Sequence, residues 1–167
     1  MRRPKTAYAI GLVAVLVAGP ALAQPVRLIG EYRDWSSYSA SEGAGAMCFM
    51  MTGPQSTEPL PDGFTTAHLY VTRRPGEGVR DEFNIVSGFS FAPDTPAVVT
   101  VGSSRFELFT EKDAAWLLDP GQSGTLAGAM RAGSTLVVDG TSERGIKVRQ
   151  TYSLAGATAA YRSLDGC

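Results

Sequence analysis

Hydrophobic and polar residues alternate along much of the chain, a pattern typical of strands with one buried face. In the segment 67–72, Ala67, Leu69 and Val71 fall on one face of such a strand, and His68 falls on the other. The alternation predicts eight strands in all: 28–33, 47–51, 67–72, 83–87, 97–101, 105–110, 135–139 and 146–154.

Short turns rich in glycine and proline separate these strands, and Gly102-Ser103-Ser104 joins two of them as a tight hairpin. The chain has 19 glycines and 10 prolines among 167 residues, which favours a turn-rich β protein over a helical bundle. About eight short strands predict a mainly β fold, an antiparallel sandwich or barrel. Two short helices are expected near the C-terminus, over 125–131 and 157–164.

The first 23 residues have the pattern of a secretory signal peptide. A basic start is followed by an apolar stretch over 7–18, too short to span a bilayer, and by the small-residue site Ala21-Leu22-Ala23. We expect cleavage between Ala23 and Gln24, which leaves 24–167 as one domain of ordinary size. No later apolar stretch reaches membrane length, so we expect a periplasmic or secreted protein without stable membrane insertion after cleavage.

The two cysteines of the chain, Cys48 and Cys167, both lie in the predicted mature part. In an oxidising compartment two cysteines usually pair, and no Cys-x-x-Cys spacing points to a redox-active pair instead. We therefore predict a structural disulfide between them. On the chain-entropy model, closing so long a loop stabilises a fold by about 4–5 kcal/mol.

The charge of the chain gives no sign of a nucleic-acid partner. Fifteen Lys and Arg residues stand against 16 Asp and Glu, a formal net charge of −1, whereas binding to phosphate chains needs an excess of positive charge. Three arginines around the 73–80 turn are able to grip a carboxylate or phosphate, but the acidic residues among them favour mutual neutralisation. These arginines are Arg73, Arg74 and Arg80, and the acidic residues are Glu77, Asp81 and Glu82.

No residue pattern points to an enzyme. His68 is the single histidine and belongs to no nucleophile or zinc motif. A carboxylate-based hydrolase stays as an alternative, because paired carboxylates from distant strands cannot be recognised in a sequence. Glu111 and Asp113 beside Trp116 superficially resemble a sugar-binding corner, although a solvated turn before a strand is the commoner explanation. We expect no catalytic residue, no cofactor and no metal.

The segment Met47-Cys48-Phe49-Met50-Met51 suggests a second function class, because thioethers and a thiolate suit Cu(I). On a strand, however, Met47 and Met51 face one side while Cys48 and Met50 face the other, and oxidation of Cys48 removes the thiolate. A buried strand filled with adaptable methionines is favoured. A periplasmic small-molecule or soft-metal (copper) binding protein is therefore the alternative to a protein that binds a macromolecule.

The longest segment without a strand pattern is 52–66, and loops of this length in compact domains are often functional. We predict that it binds the partner, an unknown protein or envelope component, with two apolar anchors inside a polar rim. The alternative is a crossover between sheets whose apolar residues pack into the core. The anchors are Leu60 and Phe64, and the rim is Gln55, Glu58 and Asp62.

Several short motifs, in order along the mature chain, resemble the invasion-associated locus B family of exported alphaproteobacterial proteins. The resemblance implies a periplasmic or secreted, immunoglobulin-like β-sandwich with no established catalytic activity, and it carries over Cys48 and Cys167 as a disulfide. The founding member of that family is linked to host-cell invasion, but most relatives occur in environmental bacteria, so the resemblance leaves a role in host interaction or virulence open. The motifs are Asp34-Trp35-Ser36, Met47-Cys48-Phe49, 69–75, Phe106-Glu107-Leu108-Phe109, 136–145 and 151–156.

The signal-peptide pattern generates the first prediction. The exported protein is expected to begin at Gln24, because the peptidase reads the small residues Ala21 and Ala23. Intact-mass measurement of the exported protein checks this, allowing for cyclisation of the new N-terminal glutamine. Ala23→Arg is expected to block processing. Exported protein that still carries Met1 would contradict the prediction.

Overall fold

The computed structural model describes residues 26–42 and 45–167, so the expected signal peptide and its cleavage point lie outside the described residues. The described part contains eleven strands and two α-helices. The strands are β1 (Arg27–Tyr32), β2 (Trp35–Glu42), β3 (Gly45–Thr52), β4 (Ser56–Glu58), β5 (His68–Arg74), β6 (Val79–Val86), β7 (Ala97–Val101), β8 (Ser104–Glu111), β9 (Ala114–Leu117), β10 (Thr135–Thr141) and β11 (Lys147–Ser153), and the helices are α1 (Ser123–Ala132) and α2 (Ala157–Ser163).

The strands form one antiparallel sheet in the order β1-β2-β3-β5-β6-β9-β8-β7-β10-β11-β4. Consecutive strands pair as hairpins at several points, as in β2–β3 and β10–β11. The register of β1 against β2 shifts between Leu28 and Gly30, so Ile29 forms a bulge on the edge strand. Pairing does not close the described sheet into a barrel, because β1 and β4 are its two edges.

The sheet folds back on itself to enclose one core. Trp35 on β2 is almost fully buried, and its Nε1 donates a hydrogen bond to the backbone carbonyl of Ser153 at the end of β11, at 2.9 Å. β2 and β11 are each second from an end of the sheet order, so this hydrogen bond links the two halves of the sheet. Apolar side chains from both halves pack into a single cluster. The arrangement is therefore the expected antiparallel β-sandwich.

Hydrophobic alternation located eight of the eleven strands correctly, but the expected count of about eight is too low. The unpredicted strands are β2, β4 and β9. β2 buries Ser37 beside Trp35, so its inner face is partly polar, and β4 and β9 have only three and four residues. A second difference concerns Ile146, the first residue of the predicted strand 146–154, which lies ahead of β11 and is 39% exposed.

Both predicted helices are present, and both pack on the sheet through small and apolar residues. α1 buries Leu126, Ala127 and Met130, and it ends at Gly133. α2 begins after Gly156, whose φ is +95°. A Cβ at Gly156 would lie 1.7 Å from the Tyr32 carbonyl oxygen, so only glycine fits there. This close approach fixes α2 against the β1–β2 turn.

The predicted disulfide is present: Cys48 on β3 is bonded to Cys167, across 119 residues of sequence and with 5.9 Å between the Cα atoms. A short 3-10 turn over Leu164–Gly166 carries the chain from α2 to Cys167. The bond ties this C-terminal segment to β3, the third strand in the sheet order. Within 26–42 and 45–167, no helix is long and apolar enough to cross a bilayer.

The disulfide generates the second prediction. Cys48→Ala and Cys167→Ala are each expected to lower the free energy of unfolding by similar amounts, up to about 5 kcal/mol, because either change frees the same long loop in the unfolded chain. The double variant should add little more, since one bond is lost in every case. Urea unfolding measures this, and the wild type reduced with dithiothreitol is the matched control. Free thiol in natively folded, exported protein would contradict the prediction.

Candidate binding site

A groove opens on the outer face of the sheet where β6 and β9 separate. Their pairing covers only Asn84–Val86 of β6, and its register ends where Asn84 faces Trp116. Beyond that pair lies a cavity of about 720 Å³, lined by both strands and by Ser123 at the start of α1. A volume of this size is typical of small-ligand sites.

One row of side chains crosses five strands beside this groove. The register sets Met51 opposite Tyr70, Tyr70 opposite Asn84, Asn84 opposite Trp116, and Trp116 opposite Phe109. Residues directly opposite one another in antiparallel strands project from the same face. All five are at least partly exposed, whereas their neighbours along each strand are buried apart from the half-buried Thr110, so this is the outer face. We call these five residues the aromatic row.

Contacts with other rings hold the aromatic side chains of the row in place. The centroids of Phe109 and Trp116 are 5.4 Å apart and the ring planes differ by 19°, an offset-stacked geometry that fixes both side chains. Phe109 is nevertheless 43% exposed. At the other end, Tyr70 packs against Phe49, which stacks on Tyr38. Burial raises the pKa of the Tyr70 phenol, so its hydroxyl stays protonated at neutral pH.

Three charged side chains border the groove: Arg80, Glu82 and Glu111. Glu82 accepts two hydrogen bonds from the Arg74 guanidinium, at 3.1 and 3.3 Å. Arg80 and Glu111 form no ion pair with another residue of the described part. The groove therefore offers one unpaired cation and one unpaired carboxylate beside its aromatic wall.

Among the described residues, the expected neutralisation around the 73–80 turn is found for Arg73 and Arg74 but not for Arg80. Arg73 is 6% exposed. Its Nε donates to Asp81 at 3.0 Å, a guanidinium nitrogen donates to Asp165 at 2.7 Å, and its guanidinium carbon lies 4.5 Å from the ring centroid of Tyr161. The Tyr161 hydroxyl also donates to Asp81, at 2.6 Å. Burial works to lower the pKa of Arg73, but these hydrogen bonds outweigh it and raise the pKa above its usual value. The residue is always charged.

These side chains form what we call the C-terminal clasp: Arg73, Asp81, Tyr161, Asp165 and the Cys48–Cys167 disulfide. Cys48 and Arg73 are direct partners in the β3–β5 register. The disulfide and the ion pair to the C-terminal segment therefore start from two residues that are paired on neighbouring strands. The clasp is structural, because its charges are already paired with one another.

The structure places the loop residues that were expected to bind a partner in different environments. Leu60 is 68% exposed. Phe64 instead packs against the core, with its ring so close to Gly88 that a Cβ at Gly88 would lie 2.8 Å from it. The three polar residues of the predicted rim lie in different places. Gln55 is exposed, Glu58 ends the edge strand β4, and Asp62 pairs with Arg144 at 2.6 Å.

The segment 52–66 is thus more ordered than its composition suggested. β4 pairs with β11 inside it, and the Thr65 amide donates to the Gly88 carbonyl at 2.8 Å. Leu60 alone remains as an exposed apolar anchor, while Phe64 follows the alternative in which it packs inward.

The other residues with possible chemistry lie apart. Met50 and Cys48 are buried on the inner face and Met47 and Met51 are half-buried on the outer face, as the alternation predicted. Because Cys48 is in the disulfide, this strand brings no thiolate to its methionines. His68 lies on the outer face with its ring 5.8 Å from that of Tyr70.

Sequence reasoning missed the aromatic row. Glu111 and Trp116 were noticed together, and the 112–113 segment between them is indeed a solvated turn joining β8 to β9. The missing signal was pairing: Tyr70, Asn84 and Trp116 lie on three strands whose register no local pattern reveals.

No known family model matches the chain, and no curated protein matches it. Among solved structures, the fold is similar to the crystal structure of invasion associated protein b from Bartonella henselae, with a TM-score of 0.57. The two proteins share a fold. They are 16% identical, and the alignment covers 82% of this chain and 95% of that one. This likeness confirms the fold that the sequence motifs implied.

The single histidine generates the third prediction. Partial burial lowers the pKa of His68 below its usual 6.5, so the unfolded chain binds the proton more tightly than the folded protein does. His68 should therefore add stability above pH 6.5 that is lost as the pH falls below it. Proton NMR of the untagged protein measures the titration midpoint of the one imidazole, with urea-unfolded protein as the control. A midpoint at or above 6.5 in the folded state would contradict this.

Proposed function

We propose that this chain is an exported, non-enzymatic binding protein of the invasion-associated locus B type. It captures a macromolecule or envelope component through the aromatic row and the adjoining groove. Three separate lines support the proposal: the order of the sequence motifs, the fold shared with the Bartonella henselae protein, and the outer-face groove.

The aromatic row is the observation that carries the binding function. An outer sheet face in contact with water is normally polar, because exposed rings add nothing to the core. Here Phe109 is 43% exposed, and the half-buried Trp116 beside it borders a groove. Partly exposed aromatic residues are the side chains that most often dominate the energy of binding sites.

The proposed location outside the cytoplasm is supported by the signal-peptide pattern and by the disulfide. A disulfide persists in an oxidising compartment and is rare in the bacterial cytoplasm. The N-terminal pattern of basic, apolar and small residues provides the export route. Periplasm and extracellular medium are both compatible with this chemistry. A role in host interaction is part of the proposal, and it is supported only by the sequence motifs that resemble the invasion-associated locus B family.

The loop around Leu60 is a second candidate surface for the same function. Leu60 is 68% exposed and is flanked by Pro59 and Pro61, which restrict the backbone and so reduce the entropy lost when a partner binds. Its weakness is that Phe64 packs inward and contributes no second anchor.

A carboxylate-based hydrolase is the enzymatic alternative, because Glu82 and Glu111 border the same groove. Against it, Glu82 is held by Arg74. A copper function has less support, since Met50 and Cys48 face the core and Cys48 is bonded to sulfur.

The fourth prediction tests the binding function. Immobilised mature protein is expected to retain an envelope component, and Phe109→Ser should weaken that capture at least tenfold because it removes an exposed ring and the support of Trp116. Leu28→Ser is the matched control, since Leu28 is 50% exposed on the edge strand β1 and lies away from both the groove and the Leu60 loop. Circular dichroism confirms that each variant is folded.

Leu60→Ser separates the two surfaces. Capture that depends on Leu60 and not on Phe109 would move the binding surface to the loop. Capture that survives both substitutions, or that Leu28→Ser weakens equally, would overturn the proposed function.

A further inference from the structure

We propose that the aromatic row binds an extended saccharide, a chain of β-1,4-linked pyranose rings with equatorial substituents. This rests on the proposed function, because it names the ligand class of the same surface. The inference comes from the side chains that the sheet register places side by side: Tyr70, Asn84, Trp116 and Phe109.

The spacing of the row suits a chain of rings. Tyr70 and Trp116 are opposite the same residue, Asn84, on the strand between them. Neighbouring strands are about 4.8 Å apart, so the two aromatic positions are separated by about 10 Å. This is close to the length of a disaccharide unit, and the amide of Asn84 lies midway. Two sugar rings can therefore meet an aromatic side chain each while the link between them passes over an amide.

The aromatic chemistry suits the faces of such rings. A pyranose with equatorial substituents presents axial C–H bonds as a flat, weakly positive face, and the face of an indole or phenol ring is negative. Stacking on Phe109, with centroids 5.4 Å apart, holds Trp116 in one orientation before any ligand arrives. Such preorganisation reduces the entropy lost on binding.

The polar side chains of this surface are better suited to bind hydroxyl groups than to bind charged groups. The side-chain amide of Asn84 makes no hydrogen bond within the described part of the chain, and it both donates and accepts. Arg80 supplies unpaired donors and Glu111 unpaired acceptors at the groove. Hydroxyl groups also donate and accept, so they match this mixture.

The same groups disfavour the other ligand classes. One arginine and one free carboxylate give the groove no net charge with which to hold a nucleic acid or a strongly basic peptide. The hydroxyl groups of a neutral ligand hydrogen-bond to an amide, a guanidinium or a carboxylate, and such a ligand brings no charge of its own that would need a partner. An extended peptide against the open part of β6 is the rival occupant, and it is an outcome of the test.

Cellotriose and chitotriose are the probes, because both are β-1,4-linked and neutral. Calorimetry with the mature protein is expected to give a Kd of about 1 mM or tighter for at least one of them. Trp116→Ala and Asn84→Ala should each weaken binding at least tenfold, while Ile146→Ala leaves it unchanged. Maltotriose, with α-links that bend the chain, should bind more weakly.

Tryptophan emission locates the ligand. The chain has two tryptophans; Trp35 is 1% exposed and bonded to Ser153, so a ligand-dependent change reports on Trp116. The change should vanish in Trp116→Phe while the emission of Trp35 remains. The trisaccharide should be recovered intact.

Several results would overturn the saccharide assignment. These are no binding of either probe, binding that survives both Trp116→Ala and Asn84→Ala, or equal affinity for maltotriose. Cleavage that needs Glu111 would overturn the non-enzymatic part of the function instead. Envelope capture that depends on Phe109 but is not displaced by either trisaccharide would keep the binding function and replace the saccharide with a peptide.

Discussion

The buried guanidinium of Arg73 is the point at which four segments of the chain meet. Arg73 comes from β5, Asp81 from β6, Tyr161 from α2 and Asp165 from the turn that follows α2. A charge this deeply buried is stable only with its partners in place, and removal of one partner from a buried pair costs about 3–5 kcal/mol. Packing of the C-terminal segment and the local shape of the sheet are therefore coupled.

That coupling reaches the proposed binding surface. Asp81 has a φ of +56°, in the left-handed region, and the register of β5 against β6 shifts between Thr72 and Arg74. The irregularity turns Asp81 inward to the clasp, while Arg80 and Glu82 on either side of it border the groove. The hydrogen bonds of Asp81 to Arg73 and Tyr161 thus hold the wall of a site that neither residue touches.

Sequence patterns predicted those features of the fold that do not depend on which strands pair. Alternation found strands with a fully apolar inner face, such as β7, and the cysteine count found the disulfide. It failed for β2, because serines fill the inward positions after Trp35 and leave no apolar alternation along the strand. The aromatic row could not be predicted because it depends on pairing between strands far apart in sequence, and one residue of slip would send Tyr70 or Trp116 to the other face.

The bulge at Ile29 on β1 has a consequence for how copies of this protein meet. β1 is an edge strand whose outer rim displays aliphatic side chains: Val26, Leu28 and Ile29 are 58%, 50% and 40% exposed. A regular edge of this composition is a template on which a second chain extends the sheet, the first step of aggregation. The bulge breaks the even spacing of amides and carbonyls along that rim. Another strand cannot dock there in register, so the bulge protects this apolar edge from intermolecular pairing.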